Sequence, residues 1–89
     1  MDIINLFGDI LAKEIDKPGI ACRGIIRLAI KLDFPGKNAE NLSYEDLSHV
    51  FKNGLKKKLE VIGDLNVNDI SKKMIIELTK KQSVLTFTH

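Results

Sequence analysis

"KPGIACRGIIRLAIKLD", residues 17–33, is the stretch whose reading decides the fold. It is the most apolar part of the chain, yet Arg23, Arg27 and Lys31 recur in it at a spacing of four. That spacing is helical. On a wheel the three cations share an arc of about 80°, and the side running from Leu28 round to Ile26 is wholly apolar. The segment reads as a broad-faced core helix, about 18–32, whose cations occupy its one remaining edge. Pro18 suits the first turn and biases Lys17 away from helical geometry. An arginine can lay its stem on apolar surface while its head reaches water or an acid. Glu14, Asp16 and Asp33 are near in sequence for pairing. Free of such pairs, Arg23 and Arg27 become candidate contacts for an anion or an acidic partner.

Working outward, residues 2–15 repeat Ile3, Phe7, Ile10 and Leu11 at helical spacing behind Asp2, which is placed as a cap. "DFPGKNAENL", residues 33–42, is the longest loop, marked by the turn dipeptide Pro35-Gly36. Ser43 and Asp46 then form an acidic capping box, with Leu42 and Leu47 spaced as a hydrophobic staple. Leu47, Phe51, Leu55, Leu59 and Ile62 continue as one stripe, which predicts a single helix over 43–62 ending at Gly63. "LNVNDISKKM" from Leu65 repeats the pattern of "LSYEDLSHVF" from Leu42 and opens a helix over 66–81. The match is read as one good start signal used twice, not as a duplicated unit.

"SVLTFTH", residues 83–89, changes character. Val84, Leu85 and Phe87 among threonines are strand chemistry. The chain offers no second strand to pair with it, and unpaired backbone groups are costly when buried. Such a tail is expected to pair or pack against another chain.

The fold expected is all-α: a single domain, residues 1–89, with four helices over 2–15, 18–32, 43–62 and 66–81 and an extended C-terminal tail. The second helix is the central element. The expected core is Ile3, Phe7, Ile10, Leu11, Ala21, Ile25, Leu28, Ala29, Leu47, Phe51, Leu55, Leu59, Ile70, Met74 and Leu78.

Composition narrows the function classes. The chain has 89 residues, 44% hydrophobic and 29% charged, the balance of a soluble globular domain. A chain this short has a marginal core, and association is a common way to bury more. The net charge of +2, from 14 Lys+Arg against 12 Asp+Glu, lacks the excess of a dedicated nucleic-acid binder. One cysteine excludes an intrachain disulfide and suits a reducing, cytoplasmic interior. The opening residues carry an acid at position 2, no cationic region and no small-residue cleavage site, so no secretory signal is expected. No apolar run has the length that spans a bilayer. The first helix, with one lysine against several acids on its polar face, does not suit an anionic lipid surface.

No catalytic constellation emerges. Cys22, His49 and His89 give no close-set ligand pair, so neither metal nor cofactor is expected. Cys22 lies beside Arg23, but neighbours on a helix diverge by about 100°, which leaves the thiol on the apolar arc. Gly19 and Gly24 match no phosphate-binding loop. A glycine inside a helix costs about 1 kcal/mol against alanine, so Gly24 is expected to admit a neighbouring helix.

Lys52, Lys56 and Lys57 share their face with Glu45 and Glu60, an ordinary solvated surface. Lys72, Lys73 and Lys80 gather opposite the Ile70–Met74–Leu78 stripe, with Ile76 among them. Two readings follow. The leading one is a non-enzymatic protein-interaction module, a homodimer or a subunit of a complex, using Ile76, Val84, Leu85 and Phe87. The alternative is a nucleic-acid adaptor in which Lys72, Lys73 and Lys80 meet phosphates in a helix–turn–helix-like arrangement. The last helix offers Asn68 but no Arg or Gln for bidentate base readout.

Overall fold

A computed structural model describes residues 2–81 of the chain. The helices are α1 (Ile3–Ile15), α2 (Gly19–Asp33), α3 (Tyr44–Lys52), α4 (Gly54–Ile62) and α5 (Val67–Lys80), with a 3-10 turn at Ala39–Asn41 before α3. The all-α bundle expected from the sequence is present. Its third helical segment differs in one respect: it is divided at Asn53, whose backbone (φ −124°, ψ −76°) leaves the helical region. The C-terminal segment, with Val84, Leu85 and Phe87, lies outside the described residues.

The start signals act as their chemistry requires. Asp2 accepts from the Asn5 N–H, and Asn66 accepts from the Asp69 N–H at 3.2 Å. At α3 the capping box is complete: Ser43 Oγ accepts from the Asp46 N–H at 3.1 Å, and Asp46 Oδ2 accepts from the Ser43 N–H at 3.2 Å.

Helix α2 lies between α1 on one side and α4 on the other. Each packing is set by a glycine. A Cβ on Gly8 of α1 would stand 2.9 Å from the Arg23 Cα, and one on Gly54 of α4 would stand 2.7 Å from the Ala29 carbonyl oxygen. Helices α3 and α5 pack on each other and close the core. Phe7 and Phe51 meet edge to face at 5.1 Å between ring centroids, joining α1 to α3. Leu11, Cys22, Ile26, Leu42, Leu47, Leu55, Leu59, Met74 and Leu78 are fully buried around them.

Eleven of the expected core residues are buried, from Ile3 to Leu78. Four are not. Ile10 and Ile25 are half-buried, and Ala21 and Leu28 are exposed. The reason lies in α2, which buries a narrower arc than its apolar composition suggests, centred on Cys22, Ile26, Ala29 and Ile30.

Candidate interaction face on α2 and α4

The break at Asn53 positions α4. A continuous helix would bond the Gly54 N–H to the carbonyl four residues back. Instead the Gly54 N–H donates to Asp33 Oδ2 at 2.8 Å, and Asn53 Nδ2 donates to Asp33 Oδ1 at 2.7 Å. The Asp33 side chain is only 3% exposed, and His49 Nε2 stands 4.0 Å away. One buried carboxylate at the end of α2 thus caps the start of α4, where donors are unpaired and negative charge is favoured. On the other side of the break, Ser71 Oγ donates to the Phe51 carbonyl at 2.7 Å. Two of the groups freed by the break, the Gly54 N–H and the Phe51 carbonyl, thus have side-chain partners, and α4 packs along α2.

That arrangement leaves an apolar surface uncovered. Six large hydrophobic side chains are exposed among the described residues, and five belong to these two helices: Ile20, Leu28, Leu32, Val61 and Ile62. On α2, Ala21, Ile25, Leu28 and Leu32 share one stripe on the flank toward α4. On α4, Lys57, Lys58 and Val61 fall within about 60° of Gly54, the residue that abuts α2. Gly24 stands beside the α2 stripe. The expectation that a neighbouring helix passes over it is not met: beyond the adjoining backbone of α2 itself, no heavy atom lies within 4 Å of a Cβ built there.

The cations divide by partner. Arg23 donates from Nη2 and Nε to Asp9 Oδ1, at 3.1 and 3.3 Å. It is therefore not a free anion contact, and its partner is none of the acids nearest α2 in sequence. Arg27 and Lys31 make no ion pair among the described residues, nor do Lys57 and Lys58. On α5, Lys73 pairs with Glu14 at 3.1 Å and Lys80 with Glu77 at 3.5 Å. Lys72 is exposed and unpaired among the described residues, and Ile76 is 53% exposed. The basic cluster expected on the last helix thus has acids inside it. Lys81 bonds Glu77 at 3.1 Å and, with Lys80, holds that carboxyl below the usual range.

Burial pushes the Cys22 thiol up, against a smaller opposing pull from Lys17. The side chain is fully buried, which is the environment of an inert thiol. Among the described residues, no three His, Cys, Asp or Glu side chains stand close enough together to hold a metal ion. No described helix is long and apolar enough to cross a membrane.

The chain matches no family model, no curated protein and no solved structure.

Proposed function

We propose that the chain is a non-enzymatic protein-interaction module that holds its partner on the face formed by α2 and α4. The observation that carries this reading is the grouping of Leu28, Leu32, Val61 and Ile62 on two adjoining helices. Single exposed apolar residues are ordinary, whereas a shared patch with a polar rim is the mark of a contact surface. The partner is either a second copy of the chain or another subunit of a complex. The C-terminal segment with Val84, Leu85 and Phe87 remains a second candidate contact. The nucleic-acid reading has less support, because Lys73 and Lys80 each face an acid.

Photo-crosslinking in the producing cell tests the reading. A photoreactive residue at Leu28 or Val61 is expected to give a discrete adduct, while one at exposed Asn5 gives none. A chain that gives no discrete adduct from either α2 or α4 is not a module of this kind.

A further inference from the structure

We infer that the α2–α4 face accepts an amphipathic helix with acidic flanks, supplied by a different protein. This rests on the interaction reading above and names what occupies the face.

The shape comes first. Ala21, Gly24, Ile25, Leu28 and Leu32 stand at i, i+3, i+4, i+7 and i+11 along α2. That is a seam about 17 Å long, running with the helix axis. Helix-in-groove recognition uses anchors at this spacing on both sides of the contact. Val61, 85% exposed on the adjoining α4, is the apolar side chain that α4 adds to this face.

Gly24 is the second observation. Gly8 and Gly54 are each required by a neighbour inside the chain, but the space over Gly24 is open. A glycine in a helix interior weakens the helix, so its use at an open position needs a reason outside the described residues. A missing side chain within an apolar seam lets a second helix backbone approach closely, as Gly8 and Gly54 do for α1 and α4.

Charge selects the occupant. Arg27 and Lys31 edge the seam on α2, and Lys57 and Lys58 edge it on α4. None has an ion-pair partner among the described residues. The one acid in α2, Asp33, turns inward to cap α4, and the one acid in α4 is Glu60. A second copy would set these cations against their own equivalents, and facing like charges oppose association. An apolar stripe flanked by carboxylates meets both the seam and its rim.

The test uses the full-length, isotope-labelled chain and two designed peptides of about 18 residues, long enough to follow α2 from end to end. Both carry the same leucine seam, one flanked by Glu and the other by Lys. The Glu peptide is expected to bind saturably and to move the amide signals of Ala21, Gly24, Leu28 and Val61. It should bind about tenfold or more tighter than the Lys peptide and lose that advantage in high salt. The double variant Arg27→Glu/Lys31→Glu should reverse the preference. Gly24→Val should weaken binding while the helical signal of the free chain persists.

Equal binding of both peptides keeps the contact face but overturns the acidic partner. A homodimer that Leu28→Ser dissolves overturns it in favour of a second copy. The same amides moving with anionic phospholipid vesicles overturn it in favour of a lipid surface. The same amides moving when the chain is cut after Lys81 overturn it in favour of the chain's own C-terminal segment. No response to peptide, vesicle, concentration or truncation removes the inference and the module reading together.

Discussion

Asp33 and Gly54 join the end of α2 to the start of α4, the Gly54 N–H donating to Asp33 Oδ2 at 2.8 Å. The approach leaves no room for a side chain, because a Cβ on Gly54 would lie 2.6 Å from that same oxygen and 2.7 Å from the Ala29 carbonyl oxygen. Gly54→Ala is therefore expected to destabilise the fold by about 2 kcal/mol, in the range of overpacked cores. Asp33→Ala should lose about 1–2 kcal/mol, as removal of a capping side chain does. Urea denaturation with an unchanged slope for both variants checks this.

Gly24→Ala runs the other way. With nothing beyond the adjoining backbone of α2 within 4 Å of the added methyl group, the substitution should stabilise the free chain by about 0.5–1 kcal/mol. Thermal melts of the two proteins read it directly. A loss of stability would mean that Gly24 has a neighbour within its own chain.

Ser71→Ala removes the hydroxyl that satisfies the Phe51 carbonyl at the helix break. Leaving a buried acceptor unpaired costs about 1–3 kcal/mol. The loss should exceed that of Ser48→Ala, a helical serine whose side chain makes no hydrogen bond among the described residues. Paired denaturation curves test the difference.

The capping box makes the fold sensitive to acid. The Ser43 N–H, and secondarily Lys37, hold the Asp46 carboxyl below the usual range. A carboxyl depressed on folding adds stability that is fully present above its unfolded pKa and is lost as the pH falls through its folded pKa. Asp46→Asn should flatten that part of the acid limb and leave stability near neutral pH without this pH-linked contribution. A carboxyl titration followed by NMR should place Asp46 below the usual carboxylate range.

Cys22 should resist thiol reagents in the folded chain. Its side chain is fully buried and its pKa is raised, so both access and thiolate supply are low. Modification is expected to speed up by orders of magnitude in urea, where the rate approaches that of a free thiol. Fast labelling in native buffer would show that the start of α2 opens readily.

Much of the fold was legible because it rests on local chemistry. Asp2, Ser43 and Asn66 announce three helix starts, and each caps its helix. The division at Asn53 was hidden by periodicity. Leu47, Phe51, Leu55 and Leu59 keep a spacing of four straight across it and all are buried, so the stripe reads as one helix. The adjacent Asn53-Gly54 dipeptide is the turn signal that marks the spot. What makes it a break is Asp33, twenty residues away, and no local pattern shows which acid will turn inward. The same limit governs the site. Arg23, Arg27 and Lys31 look alike on a wheel, but α1 supplies Asp9 to the first and nothing to the other two. Leu28 reads as core because the apolar arc of α2 is wide, and only the positions of α1 and α4 show which part of it stays uncovered.

The dependence of the α2–α4 face on a bend held by Asp33 has a thermodynamic consequence. Helices α2 and α4 adjoin only in the folded chain, so an occupant that grips both binds the native state and ignores the unfolded one. Such a ligand adds stability by mass action, about 2.7 kcal/mol when its free concentration is a hundred times its dissociation constant. For a domain with a small core that is a sizeable share of the total. Copies without a partner would then unfold, and be degraded, more often than copies with one, and the amount of this protein in a cell would follow the supply of whatever it holds.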